Sequence, residues 1–219
     1  MLSVLKRNLL QTYEEQYEAR KDGDPYDVIP VKNKKHAKNT TEVCLSNRNV
    51  NRLINFDGFP NLEVVWLNNN ALSSIEGLSS NFRLKELYLR SNELERLDVE
   101  DFKGLKNLVL LDLGQNRLFE FEESLRVFRL LRYLRNLNLN GNPIGNALNF
   151  RYRMIYHLPN LDILNGVKVK DEERKKAADL FGKDNAARPK KHAVNNVSPN
   201  ERILIQKYKH VLKQRFKLP

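Results

Sequence analysis

Leu84-Lys85-Glu86-Leu87-Tyr88-Leu89-Arg90-Ser91-Asn92-Glu93-Leu94 carries the spacing L-x-x-L-x-L-x-x-N-x-L. The same spacing occurs upstream as Leu62, Val65, Leu67, Asn70 and Leu72. Downstream it returns as Leu108, Leu111, Leu113, Asn116 and Leu118, and again as Leu134, Leu137, Leu139, Asn142 and Ile144. Successive asparagines lie 22, 24 and 26 residues apart, a period that belongs to stacked solenoid repeats. A weaker copy comes first: Val43, Leu45 and Val50 fit, but Arg48 stands in the asparagine place. A terminal repeat has one exposed side and tolerates such a departure.

Each L-x-L pair predicts a short strand, in which alternate side chains point to opposite faces. The leucines then enter the core, and the residues between them line a concave face. The asparagine can bond backbone groups where the chain turns away, so stacked copies form a ladder that satisfies buried polar groups. Asn70, Asn92, Asn116 and Asn142 are therefore frame residues rather than chemistry. Ile75 with Leu78, Leu97 with Phe102 and Leu105, and Phe121 with Leu125 and Phe128 supply the convex side of the core. The connector 119–133 is the longest and places Leu125, Phe128 and Leu131 at helical spacing. The expected fold is an α/β leucine-rich-repeat solenoid, right-handed, with a parallel concave sheet and about five repeats over 41–145. Helical extensions are expected at both ends.

After Asn142-Pro143-Ile144 the pattern changes to Tyr152-Arg153-x-Ile155-x-x-Leu158-Pro159-Asn160-Leu161-x-x-Leu164-Asn165-Gly166, followed by Val169 and Glu173-Arg174. This resembles the C-terminal cap, here 146–181, of one family of short leucine-rich-repeat proteins. That family includes the spliceosomal A-prime protein, the nuclear regulator of protein phosphatase 1 and axonemal proteins such as an outer-arm dynein light chain. The resemblance covers about residues 41–181. Within it, Val65–Asn70, Leu84–Leu89 and Arg151–Pro159 resemble small ciliary members, whereas Val167–Lys170 through Glu173-Arg174 to Phe181 resembles the spliceosomal one. The spliceosomal member's opening, a helix leading straight into the first repeat, is replaced here by a hydrophilic stretch.

The flanks read differently from the body. Leu2, Leu5, Leu9, Leu10, Tyr13 and Tyr17 predict an amphipathic helix over 1–21, able to cap the first repeat or dock on a partner. Asp22-Gly23-Asp24-Pro25 ends it, and 22–40, polar and basic, is expected to be an exposed linker. A second basic linker is expected over 182–197, with Lys190 and Lys191 at its centre. Ser198-Pro199-Asn200-Glu201 then has the form of a capping box and opens a basic amphipathic helix over 198–219. Its surface carries Lys207, Lys209, Lys213, Arg215 and Lys217, which the tail can lay on an acidic partner surface.

Of the net charge of +11, residues 170–219 contribute +8, whereas the repeat region 41–169 is nearly neutral. A basic tail on a neutral body points to an acidic partner. Cys44 is the single cysteine, which excludes an intrachain disulfide and favours a cytosolic or nuclear compartment. The opening residues lack the features of a signal peptide, and no apolar run approaches a membrane span. His36, His157, His192 and His210 are scattered without metal-ligand spacing, and no phosphate-binding loop or nucleophile elbow occurs. No catalytic residue, metal or cofactor is expected, so the chain reads as a non-enzyme.

The candidate site is the concave face. Alternation places Trp66, Tyr88, Asp112 and Asn138 at its centre, flanked by Asn68, Arg90, Gly114 and Asn140. Trp66, Tyr88 and Arg90 are residue types that dominate interface energetics. The resemblance implies a protein-interaction scaffold, a structural subunit of a large assembly. The leading expectation is the ciliary or flagellar axoneme, in the cytoplasm and cytoskeleton, with tubulin or dynein-associated proteins as partners. The alternative is a nuclear ribonucleoprotein subunit that meets RNA through phosphate alone; a further one is a phosphatase-regulating adaptor. Neither a membrane nor a homo-oligomer is expected.

Overall fold

The computed structural model describes residues 21–182; the segments 1–20 and 183–219, with the two terminal helices expected there, lie outside them. In chain order the strands are β1 (Lys21–Gly23), β2 (Glu42–Cys44), β3 (Val50–Leu53), β4 (Val64–Trp66) and β5 (Glu86–Tyr88). They continue as β6 (Leu110–Asp112), β7 (Asn136–Asn138), β8 (Ile163–Leu164) and β9 (Val167–Lys168). The helices are α1 (Lys34–Asn39), α2 (Val99–Phe102), α3 (Phe121–Leu130), α4 (Phe150–His157) and α5 (Asp171–Phe181). One sheet runs β2-β4-β5-β6-β7-β8-β9, parallel until the antiparallel β9, and β1 pairs with β3 in a second, two-stranded sheet.

The register stacks equivalent positions. Val65, Leu87, Leu111, Leu137 and Leu164 form one row and are fully buried. On the convex side Ile75, Leu78, Phe102, Leu105, Leu125 and Phe128 close the core. The α3 helix occupies the longest connector, because Phe121, Leu125 and Phe128 return at helical spacing to one buried face.

The asparagines tie repeats together. Asn92 Nδ2 donates to the carbonyls of Leu67 and Leu89, both at 2.9 Å, and its Oδ1 accepts from Leu72 N–H at 3.1 Å. Asn116 makes the same bonds to Leu89, Leu113 and Leu94, and Asn142 to Leu113, Leu139 and Leu118. Asn70 reaches Leu45, Leu67, Arg48 and Val50, so the repeat lacking its own asparagine is held by its neighbour's.

Residues 22–40 are not a linker. β1 pairs with β3, Asp24 accepts from Tyr26 N–H to start a short turn at Pro25, and Tyr26 meets Phe59 edge-on at 4.9 Å. Asn33 caps α1 by accepting from His36 N–H, and Ile29 and Ala37 enter the core. Lys32, Lys34, Lys35 and Lys38 dominate the composition, yet a few apolar anchors between them suffice to cover one end of a solenoid. Lys21, expected as the last residue of the first helix, is in β1.

At the other end the sheet reverses. Asn165 and Gly166 both have positive φ (56° and 76°), the backbone of a two-residue hairpin turn, and they return the chain as β9. Arg151 on α4 locks this cap: its guanidinium donates to Glu173 on α5 at 2.6 and 3.0 Å and to the carbonyls of Leu164 and Lys168. The Arg151 hydrogen bonds hold the Glu173 carboxyl down at about 2, helped by the Lys170 N–H that it also accepts.

Asn92→Ala leaves two carbonyls and one amide of neighbouring repeats without their partner; a loss of about 2 kcal/mol or more is expected in urea unfolding. A loss below about 0.5 kcal/mol would show that the ladder is dispensable. Because the folded pKa of Glu173 is depressed, its contribution is present above the ordinary carboxylate range and is lost as pH falls toward about 2. The wild-type chain is therefore expected to melt above Glu173→Gln at neutral pH. The gap closes between pH 4.5 and about 2, and thermal scans across that range check it.

Candidate functional site: the concave face

The strand register that buries the leucines also lines up what faces away from them. Cys44, Trp66, Tyr88, Asp112 and Asn138 occupy one row across β2, β4, β5, β6 and β7. Trp66 and Tyr88 are half-buried and stack with centroids 5.9 Å apart and planes 11° off parallel. The Tyr88 hydroxyl donates to Glu86 Oε2 at 2.6 Å, which fixes the ring.

The next part of the row is polar. Asp112 Oδ1 accepts from Gly114 N–H at 2.9 Å and from Asn138 Nδ2 at 2.8 Å. Asn138 Oδ1 in turn accepts from Asn140 N–H, and Asn68 Oδ1 accepts from Arg90 N–H. A β-carbon at Gly114 would come within 2.9 Å of Asn138 Nδ2 and 3.1 Å of Asp112 Oδ1, so glycine is what lets this end close. A hollow of about 320 Å³ opens here, walled by Tyr88, Arg90, Asp112, Asn138 and Ile163. The face is thus two-ended: an aromatic slab at Trp66–Tyr88 and a hydrogen-bonding end at Asp112–Asn138–Asn140, with Arg90 between them.

The structure brings together all seven expected concave residues, Trp66, Asn68, Tyr88, Arg90, Asp112, Asn138 and Asn140, at the sheet or its rim. Sequence reasoning passed over a second row of the same parity: Glu42, Val64, Glu86, Leu110, Asn136 and Ile163. These sit two places before the first row and so share its face; the period of two was the available signal. From Val64 to Ile163 they are buried beneath their neighbours and form the floor of the site. The tail residues Lys190, Lys191, Lys207, Lys209, Lys213, Arg215 and Lys217 lie outside the described residues.

Cys44 is exposed at the end of the central row. Among the described residues, no group of three or more His, Cys, Asp and Glu side chains is placed to hold a metal ion, and no helix is long and apolar enough to cross a membrane. His157 meets Arg129 and not another ligand; burial, then the charge of Arg129, pushes its pKa down.

The pattern of the leucine-rich repeat family matches residues 58–194. The U2 small nuclear ribonucleoprotein A' of Candida albicans is 34% identical over 121 residues, covering 55% of this chain and 51% of that protein. Its counterpart in Eremothecium gossypii is 34% identical over 114 residues, covering 52% and 47%. The chain thus spans about half the length of the curated relatives it matches. Among solved structures, the Drosophila melanogaster SNF/U2A' complex superposes with a TM-score of 0.61 at 27% identity, covering 65% of this chain and 84% of that one.

These relatives overturn the axonemal expectation. Val65–Asn70, Leu84–Leu89 and Arg151–Pro159, read as ciliary, belong mostly to the repeat frame and the cap, where packing rather than cellular address selects residues. With that reading go its cytoplasm, cytoskeleton and cilium, and tubulin and dynein-associated proteins as partners.

Tyr88→Ala removes one face of the stack on the chain's single tryptophan. A red shift of Trp66 emission and stronger acrylamide quenching are expected, with a stability loss of about 1 kcal/mol. Unchanged quenching would mean that the two rings do not shield each other in solution.

Proposed function

The chain belongs to the leucine-rich repeat family, and we propose that it serves as a non-enzymatic, protein-holding subunit of a nuclear RNA–protein assembly. The observation that carries the protein-holding role is the two-ended concave face. A half-buried stacked pair on the open face of the sheet offers apolar area at low conformational cost, and the Asp112–Asn138–Asn140 end offers directed hydrogen bonds. A partner that fits presents an apolar patch with a polar group beside it, so that one end supplies affinity and the other sets orientation.

The assembly is inferred from likeness. Curated relatives at 30–34% identity carry the name U2 small nuclear ribonucleoprotein A', and the superposed solved structure is titled as a complex with SNF. The relatives support a nuclear location in the same way. RNA enters this reading through phosphate, because the chain lacks the interleaved aromatic and basic signature of a base-reading module.

Tagged in its own cells, the full chain is expected in the nucleus, bound to a constant protein partner and a small nuclear RNA. Trp66→Ala, at a hot-spot position, is expected to weaken the protein partner about 30-fold while leaving the fold intact by circular dichroism. Exclusion from the nucleus, or retention of the partner by Trp66→Ala, sinks the proposal.

A further inference from the structure

The turn that enters each concave strand repeats a second asparagine device. Asn61 Nδ2 donates to the carbonyl of Lys38, Asn107 to that of Phe82, and Asn160 to that of Arg132. These bonds give Lys38, Phe82 and Arg132 the same place in alternate turns, and the repeat spacing puts Lys106 there as well. The two turn positions before each repeat are thus Lys38-Asn39, Pro60-Asn61, Phe82-Arg83, Lys106-Asn107, Arg132-Tyr133 and Pro159-Asn160. Twelve positions hold four basic side chains and no carboxylate.

All four cations are exposed, and none makes an ion pair among the described residues. Glu63, two places beyond Asn61 and just before β4, is neutralised by Lys85 at 2.5 Å. Phe82 is 54% exposed, with the Arg83 guanidinium 6.0 Å from its ring centre. The neighbouring broad groove is of mixed sign: Glu76, Asp98, Glu100, Asp101 and Glu123 line it together with Arg96, Lys103 and, from this edge, Lys106.

We infer that this edge of the solenoid, Lys38, Arg83, Lys106 and Arg132, is a track for an RNA sugar–phosphate backbone. The inference rests on the nuclear RNA–protein reading above and places a phosphate contact on the folded body. Stacked strands advance about 4.8 Å per step, so the four steps from Lys38 to Arg132 span about 19 Å, the length of a few consecutive phosphates. Lysine and arginine neutralise those phosphates, and the exposed Phe82 gives an unpaired base a ring to stack on. A carboxylate-free line of cations suits a polyanion, whose phosphates repeat one sign along the chain.

The test compares the full chain with Lys38→Gln/Arg83→Gln/Lys106→Gln/Arg132→Gln and with the charge-keeping Lys38→Arg/Arg83→Lys/Lys106→Arg/Arg132→Lys. A fluorescent mixed-sequence RNA hairpin with a single-stranded loop is titrated at several KCl concentrations. The neutralised chain is expected to bind at least about tenfold more weakly. Its slope of log affinity against log salt flattens by about 3, four contacts at about 0.7–0.9 each. The charge-keeping chain follows wild type, which separates charge from shape. Wild-type affinity and slope in the neutralised chain overturn the inference. In cells, RNA recovered equally with the wild-type and neutralised chains overturns the edge assignment and leaves the subunit role standing. RNA recovered with neither overturns both. Loss of a protein partner but not of RNA in the neutralised chain also overturns it, and assigns the edge to an acidic protein.

Discussion

A buried side-chain amide can donate two hydrogen bonds and accept more, and in this molecule that capacity spans two repeats at once. Asn92 holds the carbonyl of its own strand end and that of the strand before, and returns a bond to an amide of the earlier repeat. No leucine can do this, because apolar contact is non-directional and would let one turn slide on the next. The ladder fixes how far each repeat is rotated from its neighbour. Once that rotation is fixed, the leucine row, the concave row and the turn row all fall into line. The stacked Trp66–Tyr88 pair and the cationic edge are two outcomes of one constraint.

Repetition leaves two unfinished ends, and the chain finishes them differently. At the start, one more parallel pairing and a short helix lay Ile29 and Ala37 over the first repeat. At the finish, one arginine gathers four elements, with Arg151 reaching Glu173 and two strand-end carbonyls from α4. The first end relies on apolar cover, the second on a directed, charge-assisted joint.

What the sequence disclosed follows from how local each signal is. The frame was legible because Leu87, Leu89 and Asn92 recur with their spacing intact in four copies. The upper concave row was legible because Tyr88 stands between two leucines. The lower row, Glu86 and Leu110 among it, obeys the same alternation but lies outside the L-x-L pair that draws the eye. The N-terminal cap was not legible: lysines outnumber its anchors, and what makes Ala37 a core residue is a surface elsewhere in the chain. The asparagines before the strands escaped notice because Arg83 and Tyr133 interrupt their series. The axonemal address failed for another reason: it was drawn from residues that serve the fold.

The reversal at Asn165-Gly166 has a consequence for dimension. An antiparallel last strand cannot be followed by another parallel repeat, so among the described residues the concave sheet ends at six parallel strands. Five steps between them make a gauge about 24 Å long. An α-helix of about 16 residues has that length at its rise of 1.5 Å per residue. Insertion of repeats between the two caps would lengthen the gauge in increments of about 4.8 Å while leaving both ends as they are. The described solenoid thus has a concave face of set length, and the hairpin is where that length stops.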